Sequence, residues 1–146
     1  MKLHQLSIFL ENKPGSLSVP CRALAKAGIN MLTLSLADTE SFGILRLVVR
    51  DWQKAKQVLE EAQCVVKVTE VVALEVPDRP GGLADLLEMT EKGQINVEYM
   101  YAFTLKTEGK GVLVFRFDNP DKAVEFFKSQ GINVVGSVEL FDRIES

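Results

Sequence analysis

The chain has 146 residues, 17 Lys plus Arg against 20 Asp plus Glu, a net charge of −3, and 47% hydrophobic residues. That apolar content is enough for a folded core and excludes disorder, while the acidic balance speaks against a nucleic-acid or anionic-membrane binder, which needs clustered Lys and Arg. One His and two Cys, without zinc-type or Cys-x-x-Cys spacing, leave little material for catalysis or metal binding.

From the N-terminus, Leu6, Ile8 and Leu10 alternate with Gln5, Ser7 and Phe9, the period of a half-buried strand. Met1-Lys2-Leu3-His4 opens that strand and does not read as a leader. No apolar run approaches the roughly 18 residues of a membrane span, and the isolated Cys21 and Cys64 point to a cytoplasmic protein. The turn Glu11-Asn12-Lys13-Pro14-Gly15-Ser16-Leu17 follows. Leu17, Cys21, Leu24 and Gly28 then have helical spacing, with Pro20 early enough that its missing N–H costs no intrahelical bond. Residues 29–37 predict a second strand, and Leu45, Leu47 and Val49 a third. Asp51 stands at a helix N-cap, ahead of the apolar face Ala55, Val58, Leu59 and Ala62. Residues 65–76 run as nearly continuous strand. Cys21 and Cys64 are isolated and read as small core residues in a reducing compartment.

The chain then repeats. Pro77-Asp78-Arg79-Pro80-Gly81-Gly82-Leu83 echoes the first turn at an offset of 66, as Ile95-Asn96 echoes Ile29-Asn30. Val72, Leu74 and Val76 repeat the first strand; Leu83, Leu86, Leu87 and Thr90 give the helix, and residues 95–105 the next strand. Leu113, Phe115 and Phe117 form the third strand, Asn119-Pro120 a helix start, and Ala123, Phe126 and Phe127 its apolar face. Gly43-Ile44-Leu45 matches Gly111-Val112-Leu113 at 68, so the second copy carries two extra residues, expected in the turn Thr107-Glu108-Gly109-Lys110-Gly111. Two domains follow, residues 1–70 and 71–146. Each is a ferredoxin-like βαββαβ unit of the α+β class, with an antiparallel sheet and its helices on one face. No flexible linker separates them, which leaves room for strand exchange.

The repeated turn sits where a strand feeds a helix. Unpaired N–H groups and the positive end of the helix dipole make such a place a natural cradle for a carboxylate. Asn12 or Asp78 would offer oxygens to an ammonium group, which together suit a free α-amino acid. The same residues are also good turn and helix-start chemistry with no ligand at all. Lone His4 completes no triad, and the carboxylates Asp38, Glu40 and Asp51 sit in turns and caps, so no enzyme is expected.

Asn12-x-Pro14-Gly15-x-Leu17 followed by Gly28-Ile29-Asn30, and Asp78-x-Pro80-Gly81-x-Leu83 followed by Ile95-Asn96, resemble two ACT domains in tandem. The resemblance implies regulatory binding of an amino acid at an interface between paired domains, where the strand–helix turn of one meets the second strand of its neighbour. Carried onto this chain, it points to Asn12, Lys13, Pro14, Gly15, Ser16 and Leu17 with Asn30 and Met31. In the second copy it points to Asp78, Arg79, Pro80, Gly81, Gly82 and Leu83 with Asn96 and Val97. Asn12 stands where the family more often has Asp, and Gln94 where it has Gly. The reading is a cofactor-free sensor, a homodimer that reports a free amino acid to a metabolic enzyme. The alternatives are a regulatory subunit of a biosynthetic enzyme such as acetolactate synthase, or a ligand-free interaction module. RNA-recognition and metallochaperone modules share the element order, but lack here the exposed stacking aromatics and the Cys-x-x-Cys respectively.

Overall fold

The computed structural model describes the backbone of residues 2–107 and 109–145, and their side chains except those of residues 39, 104–107, 144 and 145. Its elements are β1 (Leu3–Glu11), α1 (Ser18–Lys26), β2 (Thr33–Thr39), β3 (Phe42–Val48), α2 (Trp52–Glu61) and β4 (Val65–Pro77). They continue with α3 (Gly82–Lys92), β5 (Val97–Thr107), β6 (Lys110–Phe117), α4 (Pro120–Ser129), β7 (Val134–Val135) and α5 (Ser137–Glu145). Two compact units emerge, His4–Thr69 and Glu70–Ser146, the latter including Met1–Leu3. The boundary falls inside β4, the continuous strand expected from the sequence.

In the first unit the strands lie in the order β2-β3-β1-β4. The antiparallel register sets Leu6 and Leu34 opposite Leu47, and Ile8 and Leu36 opposite Leu45. Alternation therefore sends Leu6, Ile8, Leu45 and Leu47 to one face, where they meet Leu24 of α1 with Ala55 and Leu59 of α2, all 2% exposed or less. Burying each large aliphatic side chain contributes about 1.5–3 kcal/mol, which is what holds these helices to the sheet. The second unit orders its strands β5-β6-β4-β7. It rebuilds the same core from Val72, Leu74, Phe115, Phe117, Ala123 and Phe127. Both predicted caps form: Lys54 N–H donates to Asp51 Oδ1 and Lys122 N–H to Asn119 Oδ1, each at 3.1 Å. The ammonium groups of the same two lysines reach the carboxyl ends of the preceding helices, at the Ala27 and Gln94 carbonyls.

The structure departs from the sequence reading in four places. Pro20 and Leu24 face the core of α1, while Leu17 is exposed and Cys21 half-buried. In α3, Leu86 and Thr90 are buried and Leu83 and Leu87 are not, the same repeat positions as in α1. The two extra residues are not in the second hairpin. Thr107 pairs with Lys110 as Thr39 pairs with Phe42, so both turns span two residues; Glu108 lies outside the described residues. The register slips instead between Ala102 and Lys106, where β5 bulges. Finally, α5 adds a helix beyond the repeat. Leu140 and Phe141 cover Val71, Ala73, Val112, Val114 and Val135 on the sheet face opposite α3 and α4.

Candidate functional site

At the end of β1 the Asn12 N–H donates to the Ser41 carbonyl and its Nδ2 to the Glu40 carbonyl, both at 2.9 Å, tying the turn to the β2–β3 hairpin. Lys13 Nζ is held by Glu11 at 3.0 Å. Gly15 takes φ +91°, a left-handed conformation that strains any side chain, which explains the glycine. The chain then runs as a loose turn through Leu17, and α1 begins only at Ser18, with no side chain capping its first N–H groups. Those donors and the positive dipole end stay available to an anion.

Beneath this turn lies a cavity of about 250 Å³. At roughly 30 Å³ per water it holds about eight waters, the scale of a small metabolite. One row of the sheet, Leu10–Gly43–Asp38, forms its floor, with Leu36 and Ala37 as wall and residues 13–15 and Leu17 above. The space exists because buried Gly43 has no side chain. Asp38 and Leu17, the N-cap of α1, are both among the cavity's lining residues, with Leu10, Leu36 and Ala37 as the apolar ones.

The second turn keeps the tie to its hairpin, with Asp78 N–H donating to the Gly109 carbonyl at 2.7 Å. There the likeness ends. Gly81 is itself the N-cap, so α3 starts at Gly82, two repeat positions earlier than α1. Gly82 N–H donates to the Arg79 carbonyl at 3.0 Å, and a Cβ on Gly82 would fall 2.1 Å from the Pro77 carbonyl oxygen. Only glycine fits there. The first copy has Ser16 at that position and cannot close down in the same way. Arg79 folds over the second turn, bonding the Pro80 carbonyl at 3.1 Å and Asp85 at 3.0 Å.

Each copy thus gathers its turn residues but not the second-strand residues the resemblance assigns with them. Through β3 the register sets the start of β2 level with the start of β1, so Asn30 and Met31 lie at the opposite end of the sheet from residues 12–17. Asn96 and Val97 are likewise remote from the second turn, where Asn96 N–H meets Asp118 at 3.2 Å and Val97 pairs with Phe117. The sequence reading missed Leu36, Ala37, Asp38 and Gly43. The available signal was Gly43 itself, a glycine inside a strand and repeated as Gly111, which marks space or close approach.

Elsewhere, His4 stacks on Trp52 with ring centroids 4.6 Å apart, and burial pushes the Cys64 thiol pKa up, away from a reactive thiolate. Among the described residues no cluster of three or more His, Cys, Asp or Glu could hold a metal, and no helix is long and apolar enough to cross a membrane.

The family described as an ACT domain pair matches residues 1–144. Among solved structures, protein BT0572 from Bacteroides thetaiotaomicron is 37% identical, with 97% of this chain and 96% of that chain covered and a TM-score of 0.89. The regulatory subunits of aspartate kinase from Thermus thermophilus and Thermus flavus are 15% and 16% identical. They match 88% of this chain and 93% and 92% of their own, with TM-scores of 0.62 and 0.61, a likeness of fold. No curated protein matches the chain.

Proposed function

The chain belongs to the family of ACT domain pairs, and from that premise we propose that it is a non-catalytic cytoplasmic regulator that binds a free α-amino acid and reports it to a metabolic enzyme. The observation that carries this reading is the cavity under the first turn, lined by Asp38 and by Leu17, the residue from which α1 starts. A ligand carboxylate takes the unpaired N–H groups at the start of α1, and its ammonium group pairs with Asp38. The regulatory role draws support from the fold shared with the aspartate kinase regulatory subunits.

The protein acts as a homodimer paired along β2. That strand is the edge of its sheet and carries no Lys or Pro to guard it, while Leu34 and Leu36 are 56% and 54% exposed. Antiparallel pairing of β2 with its copy brings the partner's Asn30 and Met31 beside residues 12–17, which one chain alone keeps apart. Ligand binding then favours one packing of that interface, and so one affinity for the regulated enzyme.

A thermal-shift screen over the twenty amino acids tests the reading. A cognate ligand at a hundred times its Kd stabilises the fold by about 2.7 kcal/mol, or about 5–10 °C in Tm. No shift with any of them at millimolar concentration contradicts it.

A further inference from the structure

The two turns share one motif and are built differently at three points. In the first, Ser16 stands where the second has Gly82 and α1 starts late; in the second, Gly82 lies against the Pro77 carbonyl and α3 starts at once. Nothing lies within 4 Å of a Cβ placed on Gly15, whereas the Arg79 guanidinium is 3.5 Å from the same point on Gly81. The strand wall differs as well. Leu36, Ala37 and Asp38 run in regular register past Gly43, but the matching stretch of β5 is bulged, and the residue opposite Gly111 is Lys106. The second copy thus puts a basic residue at the register position where the first has its carboxylate.

We infer that the first turn alone is the ligand site, and that it selects an α-amino acid with an uncharged aliphatic side chain. The inference rests on the amino-acid reading proposed above. Asp38 matches the one ammonium group such a ligand carries. What remains for the side chain is Leu10, Leu17, Leu36 and Ala37. An acidic side chain there would meet the Asp38 carboxylate as a like charge. A basic one would lose hydration against leucine, with Glu11 already paired with Lys13 and Asp38 taken by the ligand's own ammonium group.

Titration calorimetry of the full chain tests this. The expected result is one ligand per chain, with Val, Leu, Ile or Met binding at least tenfold tighter than Asp, Glu, Lys or Arg. Gly43→Leu fills the cavity from an unstrained backbone, since the nearest neighbours of a Cβ there are 3.5 and 3.7 Å away. It abolishes binding, whereas the counterpart Gly111→Leu leaves affinity within twofold. Ligand-free melting and circular dichroism report whether each variant is folded. Should Gly43→Leu unfold the chain, the exposed Asp38→Asn lowers affinity tenfold or more on an intact fold. Two ligands per chain, tighter binding of a charged amino acid, or loss with Gly111→Leu but not Gly43→Leu overturns the inference and leaves the amino-acid reading standing. Absence of any binding to the unaltered chain overturns both.

Discussion

At two helix ends the copies exchange glutamine for glycine. Gly28 after α1 takes φ +71° and its counterpart Gln94 after α3 takes +55°, while Gln63 after α2 takes +66° against +75° at Gly131 after α4. Left-handed backbone costs an L side chain about 1–2 kcal/mol, offset in part by the extra unfolded-state freedom of glycine. Gln94→Gly and Gln63→Gly should therefore each stabilise the protein by about 0.5–1 kcal/mol, raising Tm by about 1–4 °C. A lower Tm would show that the glutamine side chains make compensating contacts. Gly82→Ala should instead destabilise by about 2–3 kcal/mol, because its Cβ would collide with backbone at Pro77. In the sequence Gln94 stood out only as a departure from pattern. That the position is left-handed, and that Gly82 is pressed against β4, depends on where the chain passes in space, which composition and spacing do not encode.

Among the elements, β1 to α4 were legible from strand alternation and helical spacing, and α2 and α4 also from the cap residues Asp51 and Asn119. The bulge in β5 was not, since two extra residues displace the register without changing the alternation on either side. The fifth helix was missed for another reason: it follows a strand of only two residues, β7, and its apolar side is short. Leu140 and Phe141 dock α5, and Arg143 anchors it by bonding both Glu75 and Glu139. Burial alone would raise the pKa of Glu75, whose side chain is 10% exposed. The hydrogen bond and charge of Arg143, a hydrogen bond with Asn133 and the charge of Lys110 outweigh burial and hold the pKa below the usual carboxylate value. The stabilisation is therefore complete above the unfolded-state carboxylate pKa and is lost as pH falls through the lower folded value. Amide exchange along α5 should quicken in that acid range. Glu75→Gln should quicken it about tenfold or more at neutral pH, since a hydrogen bond to a charged group contributes about 1.5–3 kcal/mol. Unchanged exchange in the variant would mean that apolar contacts alone dock the helix.

One motif thus occurs twice, each time over a sheet with two helices packed on one face, and ends in two different turns. The sequence reading treated both turns as candidate sites because it could see the motif but not the starting points of α1 and α3, nor the row Leu10–Gly43–Asp38 that leaves space under the first. Charge already hinted at inequality, since residues 1–73 carry 9 basic and 7 acidic side chains and residues 74–146 carry 8 and 13. The proposed site predicts that an amino acid binds the first turn and spares the second. The most direct measurement is a nuclear magnetic resonance titration of the amide-labelled protein with the amino acid that raises Tm most. It should move the amide signals of Gly15, Leu17, Asp38 and Gly43 and leave those of Gly81, Leu83 and Gly111 in place. Equal shifts at both turns, or shifts confined to the second, would contradict it.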